Sequence, residues 1–120
     1  MKDAFDIDDW KEADKALLER DIERPSVAKA RATGWWVKKF KSPAQRSAPD
    51  DVFAKPGRRG FYVEFKRPGG KATEKQEKYH EEMRAAGLIV WVCDTREMFD
   101  YILALEDQMY VRHERVLPAR

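Results

Sequence analysis

The sequence predicts an α/β domain, a mixed β-sheet flanked by helices, on three observations. Phe61, Val63 and Phe65 alternate with Tyr62, Glu64 and Lys66, the period of two expected of a strand. Residues 88–93 form a continuous apolar run, suited to a strand buried on both faces. Between them, Thr73 and Gln76 stand at capping-box spacing before a helix that Gly87 closes, so strand, helix and strand have the make-up of a parallel crossover. At 120 residues and 42% hydrophobic content, one core can form without disulfides or a structural metal.

Each element follows in order. Trp10, Ala13 and Leu17 recur at i, i+3 and i+7 and predict a helix over 8–24. Pro25 should break or kink that helix, or open a second one at its first turn. Past it, Glu23, Val27 and Ala30 share a face, and Gly34 is a natural stop. Residues 35–40 read as a strand, then a polar loop covers 42–48. A short strand over 51–54 ends at Lys55-Pro56-Gly57, and the strand over 60–67 ends at Pro68-Gly69-Gly70. After the 73–86 helix and the 88–93 strand, Thr95 caps a last helix with Phe99, Ile102 and Leu103 on its apolar side. The tail from Arg112 is polar and expected to fray.

Composition excludes several classes. A lone Cys93 makes no internal disulfide, and one Cys with His80 and His113 cannot close a structural zinc site. The acidic N-terminus lacks the apolar stretch of a signal peptide, and no run approaches the ~18 apolar residues of a membrane span. The expectation is a cytoplasmic, membrane-free chain. Charge is segregated beneath a net +2: residues 1–24 carry 5 basic and 9 acidic groups, 25–71 carry 12 and 3, and 72–120 carry 7 and 10. The basic middle third would attract a polyanion.

That third also holds candidate chemistry. Tyr62, Glu64 and Lys66 share one strand face, and a hairpin through Pro56-Gly57 would set Asp50 or Asp51 beside Glu64. Two converging carboxylates repel unless a cation joins them, and oxygen ligands suit Mg²⁺ or Mn²⁺, which also take phosphate oxygens. A lysine two residues away could orient water or stabilise charge at phosphorus. The plain alternative for Glu64 and Lys66 is a solvated ion pair.

Pro49-Asp50 followed by Glu64-Phe65-Lys66 resembles the PD-(D/E)XK nuclease core. The wider order is Glu23, Gly34 eleven residues on, the 35–40 strand, Pro49-Asp50, Glu64-Phe65-Lys66-Arg67, GGKATEKQ ending in Gln76, and AAGLIVWV. That order resembles the virus-type replication-repair nuclease (VRR-NUC) branch and is similar to Holliday-junction resolvases. The resemblance covers roughly residues 19–105 and implies a restriction-endonuclease-like core, expected over 19–107; outside it, 1–18 reads as an acidic helical extension and 108–120 as a polar tail.

It further implies that Asp50, Glu64 and the Phe65 backbone carbonyl hold Mg²⁺, with Mn²⁺ able to substitute. Lys66 would position the attacking water. Glu23 would reach the metal through water, with Glu19 one turn earlier as a competing candidate, and Asp51 competes with Asp50. Gln76 would sit near Lys66 and the phosphate, although capping alone also accounts for it. Lys38, Lys39, Lys41, Arg46, Arg58, Arg59, Arg67 and Lys71 flank these positions as candidate DNA contacts.

The expected function is metal-dependent DNA endonuclease activity on branched or Holliday-junction DNA in repair, by a homodimer of phage or bacterial origin. A nickase or exonuclease within a replication or recombination complex, and a non-catalytic nucleic-acid-binding module, are the rivals. His80 is expected to be a partly buried helix residue without a catalytic role, and Cys93 a core thiol. Trp35 and Trp36 must face opposite ways if their strand alternates, one of them outward.

Overall fold

A computed structural model describes residues 17–112. Its elements run α1 (Glu19–Ala32), β1 (Trp36–Lys39), β2 (Asp51–Ala54), β3 (Phe61–Phe65), α2 (Glu74–Ala85), β4 (Val90–Cys93) and α3 (Arg96–Asp107). The sheet order is β1-β2-β3-β4. The first three strands pair antiparallel, and β4 joins β3 in parallel through the α2 crossover, so the sheet is mixed.

The α1 helix departs from expectation at both places where the sequence was ambiguous. Residues 8–16 lie outside the described part, and Leu17 and Leu18 are non-helical and exposed. The helix starts at Glu19 because the Leu18 N–H donates to Asp21 Oδ2 at 2.8 Å, an acidic cap in the first turn. Pro25 neither ends the helix nor opens a second one: it lies inside a continuous Glu19–Ala32 helix. Proline costs the helix one backbone bond there, and burial of Ile22, Ser26 and Ala30 on either side of it offsets that loss. Gly34, at φ +95°, then turns the chain into β1.

The alternation in β3 sorts the two faces of the sheet. Phe61, Val63 and Phe65 are fully buried with Phe53, Phe99, Ile102 and Cys93 under α1 and α3. Phe53 stacks on Phe61 at 4.8 Å, and Phe99 reaches both Phe53 and Phe65 at 5.5 and 5.8 Å. The opposite face carries Glu64, and α2 lies over it with Gln76 and His80. Trp35 is buried edge-on against Phe61, while Trp36 is 55% exposed.

The 88–93 run is only partly sandwiched. Val90 and Cys93 are buried, but Trp91 and Val92 are half-buried and Leu88 is exposed before the strand begins. The cause is position: β4 is an edge strand with a neighbour on one side only. Both later caps form as spaced. The Thr73 hydroxyl accepts from Gln76 N–H at 3.2 Å, and the Thr95 hydroxyl from Met98 N–H at 3.0 Å. The tail beyond Arg112 lies outside the described residues.

Candidate active site

The β-hairpin register builds the site. Lys39 pairs with Asp51 and Asp51 with Val63, so Asp51 shares the face of α1 and the core. Asp50 stands one residue outside β2. Its N–H donates to the Val63 carbonyl at 3.0 Å, and its carbonyl accepts from Phe40 N–H at 2.8 Å. Its side chain turns back to accept from Phe65 N–H at 2.7 Å through Oδ2. The backbone thus places the Asp50 carboxylate at the end of β3, beside Glu64.

Lys41 closes this pair. Its Nζ lies 3.2 Å from Asp50 Oδ1 and 3.1 Å from Glu64 Oε2. Glu64 is fully buried, and its Oε1 has no hydrogen-bond partner among the described residues. Burial, and then the Asp50 carboxyl against it, push its pKa up to about 8 against the opposing pull of Lys41. Burial acts to lower the Lys41 pKa, but the charges of Asp50 and Glu64 outweigh it and raise the value.

The Asp50-Asp51 doublet divides between two clusters. On the α1 side, Lys39 Nζ lies 2.6 Å from Glu23 Oε2 and 4.0 Å from Asp51 Oδ1. Burial, and then the neighbouring Glu23, raise Asp51 to about 8, with Lys39 opposing. Asp51 Oδ2 is buried without a partner among the described residues. Glu23 therefore pairs with Lys39 and Asp51, yet it also lines an open cleft with Glu19, Arg20, Lys39, Asp50 and Arg67. A neighbouring groove shares Arg20, Glu23 and Lys39 and adds Arg24, Arg31 and Asp51.

Lys66 is buried, and its Nζ donates to Gln76 Oε1 at 2.7 Å. The same oxygen accepts from Thr73 N–H at 2.9 Å. Capping and anchoring of Lys66 are thus one interaction rather than competing ones.

The eight basic candidates scatter. Lys41 sits between the carboxylates and Lys39 beside Glu23, while Arg67 lines the cleft with Asp50. Lys38, Arg46 and Lys71 are exposed. Arg58 and Arg59 lie at the other end of the β2–β3 hairpin. Arg59 Nε is 2.6 Å from the fully buried Glu106, and Arg58 donates to the Asp107 carbonyl at 2.6 Å and lies over the Tyr110 ring. Their positions serve the packing of α3.

The residues suit a divalent ion by chemistry. Two carboxylates held side by side, one with an orphaned buried oxygen, share the single ammonium of Lys41, so a further positive charge is favoured beside them. The donors are all oxygen, as Mg²⁺ and Mn²⁺ prefer. Among the described residues no three Asp, Glu, His or Cys side chains group closely enough to hold an ion. Protein would thus supply two carboxylates and a backbone carbonyl, leaving positions for water and phosphate, as is usual for Mg²⁺.

Sequence reasoning placed Lys41 on a DNA surface; the antiparallel register extrapolates to set Phe40 opposite Asp50, and the Asp50 carbonyl accepts from the N–H of both Phe40 and Lys41, at 2.8 and 3.3 Å, which holds Lys41 next to it. Arg20, Arg24 and Arg31 were missed as groove residues because two of them fall in a net-acidic segment. His80 is 1% exposed and faces Glu64, which only its helical spacing from Gln76 could have suggested.

No protein-family model matches the chain. It is 33% identical over 91 residues to "Putative nuclease p44" of Acyrthosiphon pisum secondary endosymbiont phage 1, a match spanning 76% of this chain and 98% of that protein. A solved structure titled "VRR_NUC domain" superposes with a TM-score of 0.66 at 24% identity, covering 72% of this chain and 94% of that one. The shared architecture is the restriction-endonuclease-like mixed sheet flanked by helices. No described helix is long and apolar enough to cross a membrane.

Proposed function

We infer that this chain, which belongs to the nuclease family of its phage relative p44, is a divalent-metal-dependent DNA endonuclease whose active centre is Asp50, Glu64 and Lys66. The observation that carries the reading is the side-by-side placement of the Asp50 and Glu64 carboxylates, with one lysine already between them and a second held nearby by Gln76.

Asp50, Glu64 and the Phe65 carbonyl are the groups to hold the ion, with Glu23 in reach through water. A bound Mg²⁺ or Mn²⁺ supplies Lewis-acid relief of the phosphodiester's charge and a more acidic water. The chain's own groups do the rest. Phe65 N–H fixes the orientation of Asp50, and the β3 backbone fixes Glu64. Gln76 aims the Lys66 ammonium, which steadies the attacking water and the charge that grows on phosphorus oxygens as it attacks in line. Arg67, in the cleft with Asp50, holds a phosphate beside the scissile one, and Arg20 and Arg24 extend that track along α1.

Branched DNA, cut by two copies of the chain, is the proposed substrate and assembly. The family resemblance supports the first. The second is supported by the exposed Trp36 and by Phe40 packed edge-on against Tyr62 at 4.8 Å on the sheet face away from α1. The test is cleavage of four-way junction, flap, single-stranded and linear duplex DNA in Mg²⁺, Mn²⁺ or EDTA. Metal-dependent paired cuts in the junction are expected. Cutting of every substrate alike would remove the structural selectivity, and tight binding without cleavage in any metal would leave only a nucleic-acid-binding module.

A further inference from the structure

Building on the reading of Asp50 and Glu64 as cation ligands, we propose that His80 is the positioning residue of Glu64: its Nε2–H donates to Glu64 Oε1 and so aims Oε2 at Asp50 and the incoming ion. His80 Nε2 lies 3.6 Å from Glu64 Oε1. Both atoms are buried, and neither has a hydrogen-bond partner among the described residues. Two orphaned polar atoms facing each other in a protein interior are each other's natural partner. The gap is just beyond hydrogen-bond length, and contacts of this kind tighten when the ligand enters.

The backbone explains why the two meet. Glu64 and Lys66 are two residues apart along the β3 line, about 6.6 Å. Gln76 and His80 are four apart on α2, about 6 Å, and lie on one helix face. One register therefore serves both pairs: Gln76 takes Lys66 at 2.7 Å while His80 faces Glu64. A residue only 1% exposed on that face has no packing need for a polar ring. His80 meets Glu64 at Oε1, whereas Oε2 is the oxygen that Lys41 links to Asp50. A bond from the second sphere that orients a ligand carboxylate fits that division.

The test uses the full-length chain with His80→Leu, which removes the donor, and His80→Gln, whose amide nitrogen can stand near Nε2. Melting in EDTA establishes that each variant folds. Mn²⁺ binding is measured by titration calorimetry, and the His80 ring nitrogens are read by ¹⁵N NMR in metal-free wild type and Glu64→Gln. Expected are Mn²⁺ affinity reduced about 10-fold or more in His80→Leu, near-wild-type affinity in His80→Gln, and an Nε2 signal that moves in Glu64→Gln. Wild-type affinity in His80→Leu, equal losses in both variants, or an Nε2 signal indifferent to Glu64→Gln would each overturn the proposal. If wild type binds no Mn²⁺ while the Nε2 signal responds, the cation reading fails and the His80–Glu64 pairing stands.

Discussion

Glu64→Gln should stabilise the metal-free protein at alkaline pH and do little at acid pH. Folding buries the Glu64 carboxyl completely and sets it against Asp50, raising its pKa from the ordinary 4.5 to about 8. A carboxyl raised on folding contributes its full stability below the unfolded value and loses it as pH climbs through the folded value. The window therefore runs from pH 4.5 to about 8. At ~1.36 kcal/mol per pH unit, the displacement caps the penalty at roughly 5 kcal/mol for ionising Glu64 in the fold. Glutamine keeps the shape and never ionises, while Asp51, raised by its own neighbours, is present in both proteins and cancels. At roughly 4 °C per kcal/mol for a domain of this size, the variant should melt about 5–15 °C above wild type at pH 9, and within ~2 °C at pH 5. The assay is thermal unfolding in EDTA across pH 5–9. A difference that stays flat with pH, or a variant less stable at pH 9 than at pH 5 relative to wild type, would refute the placement of a buried carboxyl whose ionisation Lys41 only partly offsets.

Other outcomes follow from single contacts. Thr73→Ala should cost about 1 kcal/mol through its lost cap and spare cleavage, whereas Gln76→Ala should add a fall in kcat of about tenfold or more by freeing Lys66; melting and single-turnover assays separate them, and equal kcat would show that Gln76 only caps. Arg59→Ala removes the only cation paired with the fully buried Glu106 among the described residues, leaving it the 3.4 Å bond from Trp91 Nε1–H, and should destabilise by about 3 kcal/mol, seen as a lower urea midpoint. Arg67→Ala should leave stability near wild type but flatten the salt dependence of DNA binding by a slope of ~0.9, measured by fluorescence anisotropy. Burial pushes the Cys93 thiol up to about 11, so a disulfide reagent at pH 8 should label it only as fast as the protein opens, and rapid native labelling would contradict its burial.

The elements legible in sequence were those where local pattern and tertiary burial agree. The alternation over 61–66 gave both the strand and its face assignment, and the Thr73 to Gln76 spacing and the capping threonine at 95 gave helix starts that the hydroxyl caps reproduce. Pro25 misled because propensity is local, while the packing that carries α1 through it comes from α3 and the sheet. The edge position of β4 was invisible because nothing within 88–93 states how many neighbours a strand has. Within the site, sequence order supplied Asp50, Glu64, Lys66 and Gln76 as candidates but could not say which residue of the Asp doublet faces Glu64. That depends on the hairpin register, which sends Asp51 to Glu23 and leaves Asp50 beside Glu64. The charge count likewise grouped Arg58 and Arg59 with a DNA track, when buried Glu106 and the end of α3 hold them at the far end of the hairpin.

The most direct test of the central claim is single-turnover cleavage of one branched DNA in Mg²⁺ by wild type and Asp50→Asn, with affinity for the same DNA measured in Ca²⁺. Asparagine keeps the bond to Phe65 N–H but not the charge beside Glu64. A rate reduced by about 10³-fold or more, with affinity within about threefold, is the expected result if the paired carboxylates hold the ion that drives hydrolysis. Cleavage at the wild-type rate in the variant, or in wild type after the divalent ion is chelated, would contradict it.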